Sequence, residues 1–173
     1  MDQVADQLLL AKLDNFFPVS DALQADITHI LEVMNQSAAW KRNYIRVLWS
    51  LVEGYNSTLG QVAREIIRIE PRPLTLKEQK ALALERQMAT DERIKYTLRA
   101  AYKSIGLSPP DMSGPIWSGC KTLIRRREQL SHPKSPSDVR IEDAEWNEIW
   151  VSGTWLVKQY FKFVEELAAV ADG

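Results

Sequence analysis

Nearly every apolar residue of this chain recurs at a spacing of three or four, and stretches that alternate apolar with polar residues are short. Residues spaced at three and four line one stripe of an α-helix, whereas a half-buried strand needs a period of two. The seven glycines are scattered through the chain. The pattern reads as all-α, each helix burying its own stripe.

The longest stripe predicts a helix from Ala38 to Ile69. Ser37 is placed to cap it, and Pro71 and Pro73 end it. Its apolar face holds Trp40, Tyr44, Val47, Leu48, Leu51, Val52 and Tyr55, wide enough for a helix buried in a bundle. Glu53 interrupts that face and precedes Gly54. It reads either as a solvated flank residue or as a carboxylate facing the arginine cluster described below.

Upstream, two shorter helices are expected. Val4 to Asn15 carries Val4, Leu8, Ala11 and Leu13 and is stopped by Pro18, and Ala22 to Asn35 carries Leu23, Ile27, Ile30, Leu31 and Met34. Residues 1–36 are thus read as an N-terminal helical extension packed on a bundle of residues 37–173, although their modest stripes also allow an arm that swaps with a partner. His29 reads as an ordinary helix residue.

Downstream, Pro71-Arg72-Pro73 marks a hinge, and Thr75-Leu76-Lys77-Glu78 has the order of a capping box. Lys77 to Ile105 reads as helical with a break near Thr90-Asp91, closed by Gly106. A loop over Leu107 to Gly114 leads to a helix from Pro115 that carries Ile116, Trp117, Cys120, Leu123, Ile124 and Leu130 inward. Pro133 and Pro136 end that helix just past His132. After a short polar loop, Lys134 to Arg140, a last helix from Glu142 to Val170 holds Trp146, Ile149, Trp150, Trp155, Leu156, Tyr160, Phe163 and Leu167. Trp146, Trp150 and Trp155 form an aromatic stripe of the kind found in cores and subunit interfaces.

A length of 173 residues fits one domain with a real core, and the net charge of −1 gives no bulk attraction to nucleic acid or membrane. Any RNA contact must come from a local basic patch. Cys120, the single cysteine, cannot close an internal disulfide, and no charged-then-apolar leader opens the chain, so a cytoplasmic protein is expected. Apolar runs such as Leu8-Leu9-Leu10-Ala11 are too short to span a bilayer, so no membrane role is expected. One cysteine and two distant histidines give no metal-ligand cluster. A glycine-rich phosphate loop, a nucleophile elbow and an HExxH sequence are all lacking. No metal and no cofactor is expected, and enzyme chemistry narrows to metal-independent reactions. Paired inward carboxylates and histidines are also missing, which argues against a small-molecule enzyme in the bundle core.

The chemistry-bearing segment is Arg125-Arg126-Arg127-Glu128-Gln129-Leu130-Ser131-His132-Pro133. One helical turn plus a residue separates Arg127 from His132, so both can lie at the same helix end and act on one phosphate. An arginine offers a fixed positive fork to phosphate oxygens, and an imidazole exchanges a proton near neutral pH. Read structurally, the same cations would sit against the last carbonyls of the helix and satisfy them.

The stretch from Trp117 to Lys134 has a tryptophan, an apolar helix, an arginine, four residues and then His132-Pro133-Lys134. It resembles the signature of HEPN domains, an arginine, a polar residue, a few variable positions and a histidine. Asn43 to Asn56, with Leu51-Val52-Glu53-Gly54-Tyr55-Asn56, is similar to the long second helix of many such domains. The resemblance covers about Ser37 to Leu167, and only the motif is specific. Arg127 and His132 match its two key positions, with Glu128 where asparagine, aspartate or histidine is more usual.

The resemblance implies an up-and-down bundle of four to five main helices, and a homodimer that brings two motifs together. In active members it implies metal-independent endoribonuclease activity in toxin, defence or stress-response systems. Carried onto this chain, it makes His132 the general base and acid and Arg127 the ligand of the scissile phosphate. Arg125, Arg126 and Lys134 would bind neighbouring phosphates, and Glu128 and Glu53 would be supporting polar groups. RNA, a second copy of the chain and an antitoxin or other regulatory protein are the implied partners. The alternative is a non-catalytic HEPN-like dimeric module for protein interaction or nucleotide binding, with Trp146, Trp150 and Trp155 as the contact.

Overall fold

In a computed structural model, the structure describes residues 14, 18–19, 21–22, 24–35, 37–84 and 87–171, with side chains as far as 169. The helix expected over Val4–Asn15 lies outside the described residues except for Asp14, and so does Leu23 of the helix expected next. The regular elements of the described chain are helices: α1 (24–32), α2 (Ala38–Ile69), α3 (Leu76–Leu82), α4 (Thr90–Ser104), α5 (Gly114–Ser131) and α6 (Asp143–Ala171), with a 3₁₀ turn at Pro136–Val139. No strand occurs among the described residues, and no helix among them is long and apolar enough to cross a membrane.

Contacts divide the chain into two compact units. The first takes Ser20–Glu53 and Met112–Val157, and so holds α1, the start of α2, all of α5 and the start of α6; the second takes Gly54–Asp111 and the chain from Lys158. The described residues that precede α2 from 21 onward therefore belong with the unit that carries the arginine–histidine motif.

The core of the first unit follows from the stripes. Trp40, Tyr44, Ile45 and Leu48 of α2 pack with Leu123 and Leu130 of α5 and with Ile141, Trp146 and Ile149, and Ile27 and Ile30 of α1 lie against them. Aromatic rings dominate this core. Trp40 meets Trp146 edge-on at 5.3 Å, Tyr44 stacks on Trp150 at 5.0 Å, and each such pair contributes about 0.5–1.5 kcal/mol beyond its buried area. Trp146, 5% exposed, is thus a core residue of this chain rather than a free contact surface, and Trp150 is half-buried in the same cluster. The indole N–H of Trp40 donates to the Ile30 carbonyl at 2.7 Å and ties α1 to α2. At the start of α6 the buried Lys41 ammonium meets Asp143 at 2.6 Å, a carboxylate placed where the helix dipole favours one.

α5 and α6 approach closely at Gly119. A Cβ there would lie 2.0 Å from Ser152 Oγ and 2.8 Å from Ser152 Cβ, so only glycine fits. The Cys120 thiol beside it contacts the Ser152 carbonyl at 3.5 Å, and burial pushes its pKa up to about 12, leaving it an inert core group.

In the second unit the capping box is present: Thr75 accepts from the Glu78 N–H, and the Glu78 carboxylate accepts from the Thr75 N–H at 2.8 Å. Glu78 is fully buried and also takes Lys103 at 2.9 Å and Arg99 at 3.3 Å, which fastens α3 to α4. α3 ends at Leu82, Leu84 adopts a left-handed φ of 57°, and a new helix starts at Thr90. Gly106, at φ 78°, closes α4 with its N–H on the Lys103 carbonyl while the Leu107 N–H reaches Tyr102. Burial alone would raise the Glu78 pKa, but Lys103 and Thr75 outweigh it and hold the carboxyl below its ordinary value.

Two stability measurements test this packing. Gly119→Ala should lower the melting temperature by about 4–8 °C, corresponding to an overpacking cost of about 2 kcal/mol, and Ser152→Gly in the same chain should restore most of it. An unchanged melting temperature for the single variant would refute the close approach. Because the Glu78 carboxyl is held below its ordinary value, its contribution is present above pH ~4.5 and is lost as pH falls through the lowered value. Glu78→Gln should therefore cost about 2–3 kcal/mol near neutral pH and much less at pH ~3, in denaturant titrations at the two pH values.

Candidate functional site at the end of α5

The site is built on the last two turns of α5 and on the polar face of α2 beside them. α5 begins with Ser113 at the cap position and Pro115 in its first turn, and it ends at Ser131. His132 is the cap residue, at φ −135° and ψ 60°, with its N–H on the Glu128 carbonyl at 3.0 Å. Pro133 explains the stop, because a residue before proline is driven out of the helical region and proline itself has no N–H to continue the ladder.

The three neighbouring arginines have different partners. Arg126 pairs with Glu145 of α6 at 2.6 Å, and both side chains are mostly buried. Arg125 reaches the same carboxylate at 3.1 Å, and Arg126 also bonds Gln129 at 3.0 Å. Arg127 lies against α2 instead. Its guanidinium stands 5.4 Å over the Trp49 ring and makes a single 3.4 Å contact with Glu53, whose side chain is 54% exposed. Such a long, exposed pair is screened by water and contributes little. Glu53 is thus both an exposed flank residue and the carboxylate that meets the cluster. Glu128 is exposed, so Arg127 takes its carboxylate from α2 and not from its own helix neighbour.

None of the three guanidinium groups turns back on the α5 carbonyls. That place is taken by Arg46 of α2, whose Nη2 reaches the Leu130 carbonyl at 3.4 Å. The Ser131 hydroxyl donates to the Arg127 carbonyl at 3.0 Å and satisfies another. Trp49 is 3% exposed, and its indole N–H has no hydrogen-bond partner among the described residues.

His132 is exposed, and its imidazole has no hydrogen-bond or ion-pair partner among the described residues. The segment behind it is fixed by Asp138, whose Oδ2 accepts from the N–H groups of Lys134 and Ser135, both at 2.8 Å. Those two N–H groups, the Lys134 one foremost, hold the Asp138 carboxyl below its ordinary value. Arg42 of α2 donates to the Val139 carbonyl at 3.2 Å and anchors the far side of the turn. The Lys134 side chain is exposed beside His132.

The structure therefore brings Arg127, Glu53 and Trp49 together, and exposed His132 and Lys134 follow along the chain at the end of α5. It commits Arg125 and Arg126 to Glu145 and Trp146 to the core. Trp155 is half-buried and not a bare surface ring. Sequence reasoning missed Arg46, Trp49, Glu145 and Asp138. Three of these left a signal, since Arg46, Trp49 and Glu53 at spacings of three and four share one face of α2, and Ser135-Pro136-Ser137-Asp138 has capping-box order. Among the described residues, no three His, Cys, Asp or Glu side chains converge as metal ligands would. Comparison with family models, with curated proteins and with solved structures gives no match to this chain.

The Asp138 turn has a measurable signature. Because the carboxyl is held below its ordinary value, its bonds to Lys134 and Ser135 should persist above pH ~4 and be lost as pH falls further. In Asp138→Asn, amide hydrogen exchange at Lys134 and Ser135 should quicken at least several-fold at neutral pH. Equal exchange in the two proteins would mean that the turn holds without the charge.

Proposed function

We propose that this chain is a HEPN-like, up-and-down helical bundle that acts in the cytoplasm as a metal-independent endoribonuclease. In this reading Arg127 binds the scissile phosphate and His132 moves the proton. One observation carries it. Of three adjacent arginines, Arg125 and Arg126 are held by Glu145, while Arg127 lies over a ring face with only a long contact to Glu53, five residues before an exposed imidazole that has no partner among the described residues.

The reaction uses the substrate's own nucleophile. The 2′-hydroxyl gives its proton to a neutral His132 imidazole and attacks the adjacent phosphorus, and the bond to the 5′-oxygen breaks. The leaving oxygen takes a proton from the imidazolium of a second copy, so that two motifs across a homodimer axis supply base and acid. The products are a 2′,3′-cyclic phosphate and a 5′-hydroxyl. Arg127 holds the non-bridging oxygens and stabilises the charge that grows on them through paired hydrogen bonds. Lys134, exposed next to His132, is placed for a neighbouring phosphate. An RNA-cutting activity of this kind fits a toxin, defence or stress-response role kept silent by an antitoxin-like partner.

A second reading is a non-catalytic dimeric module. It is favoured by Val151, exposed by half on α6 beside Trp150, and by the two glutamates that offset the arginine cluster.

Incubation with a mixed RNA pool in excess chelator separates the two. The parent chain should cut RNA, not DNA, and leave cyclic-phosphate ends, and Arg127→Ala and His132→Ala should each lose at least about 100-fold in rate. Robust cleavage by His132→Ala would sink the mechanism, and a folded dimer that cuts nothing would leave the interaction module.

A further inference from the structure

Arg42 and Arg46 meet no carboxylate among the described residues; Arg42 is half-buried and donates to the Val139 carbonyl at 3.2 Å, which leaves Arg46 as the open cation of this region. It is exposed, and its two contacts are long: Nη1 to Asn43 Oδ1 at 3.3 Å and Nη2 to the Leu130 carbonyl at 3.4 Å. Both partners are neutral, and neither contact has the 2.6 Å length of the Arg126–Glu145 pair. A phosphate oxygen is a stronger acceptor than either, because it carries a charge that attracts the guanidinium and its oxygens can take two parallel N–H bonds from the fork.

Its place is also defined. Leu130 lies three residues beyond Arg127 on α5, about 4.5 Å along the helix axis and toward His132. On α2, Arg46, Ser50 and Glu53 follow at spacings of four and three and share a face, and on α5 Arg127 and Ser131 do the same. The Ser50 and Ser131 hydroxyls are turned to carbonyls of their own helices, those of Arg46 and Arg127. The strip is left with two guanidinium groups and one carboxylate, Glu53, which reaches only Arg127 and by a single long contact.

We infer that this strip is a two-arginine site for successive phosphates of single-stranded RNA, with Arg46 as its second cation and Glu53 as the carboxylate that an incoming phosphate displaces from Arg127. Arg125 and Arg126, tied to Glu145, are outside it. The inference rests on the ribonuclease reading for the identity of the ligand, and it replaces the two motif arginines by a residue from another helix. Trp49 holds Arg127 in the empty site, and Glu53 is its exchangeable counterion, which leaves when a doubly anchored phosphodiester arrives.

The test is binding of a short, uncleavable 2′-O-methyl single-stranded RNA across a salt series, alongside cleavage of ordinary RNA. Arg46→Ala should weaken binding about tenfold and lower the slope of log affinity against log salt by about 0.7, the share of one phosphate on a single strand. Arg46→Lys should keep the slope while losing part of the affinity, because it keeps the charge but not the fork. Glu53→Gln should tighten binding several-fold, and Arg125→Ala should change it less than twofold. Unchanged affinity and slope in Arg46→Ala, in a parent that cuts RNA, would overturn this site and leave the ribonuclease reading intact. No tightening in Glu53→Gln would overturn the displacement. A parent that neither binds nor cuts would overturn both the site and the reading beneath it.

Discussion

The separation of α5 from α6 is set where residue 119 has no side chain, and the rest of the site inherits its orientation from that contact. A Cβ at 119 would stand 2.0 Å from Ser152 Oγ, so the bare backbone of α5 at this point packs directly on the Ser152 and Glu148 side chains of α6. Side chains on a helix advance by about 100° per residue. Arg126 lies seven residues, two turns, beyond Gly119 and therefore repeats its face, which is why it meets Glu145 on α6. Arg125 at the flank reaches the same carboxylate. Arg127 is carried a further step round, away from α6, and comes to rest over Trp49 of α2.

This rotation grades the electrostatics of three chemically identical neighbours. The Arg126–Glu145 pair is short, with its side chains 16% and 14% exposed, while the Arg127–Glu53 pair is long, with side chains 35% and 54% exposed. Water weakens the second pair far more than the first. Two positive charges are thus used to hold α5 to α6, and the third stays exchangeable. At the end of the helix the usual preference for a cation is met by Arg46 from α2, which frees the motif arginines from capping duty.

The parts of this arrangement that were legible in the sequence are those with a local cause. Ser37, Pro71 and Pro73 bound α2, and Pro133 ends α5, because proline and capping chemistry act within a few residues. The break ahead of Thr90 and the capping box at Thr75 have the same local character. Glu53 stayed ambiguous because its role depends on the register of α2 against α5, which no spacing within α2 reveals. The partners of Arg46 and Glu145 were hidden for a similar reason: they lie 84 and about 20 residues away along the chain. The tryptophans of α6 carried a core-or-interface pattern, and only the packing of Trp146 and Trp150 on Trp40 and Tyr44 distinguishes them.

Trp49 answers a problem that any arginine-based phosphate site has to solve. A free guanidinium is disordered, and restricting its side chain on binding works against affinity. A carboxylate would order it, but at close range would also neutralise it, as Glu145 does for Arg126. A ring face orders the cation without supplying a countercharge, and the attraction is about 0.5–1 kcal/mol at a half-exposed site. With Trp49 buried to 3% exposure, that platform is itself immobile. Exchange of Glu53 for a phosphate then changes only the partner on the outer edge of Arg127, while the contact beneath it is the same before and after.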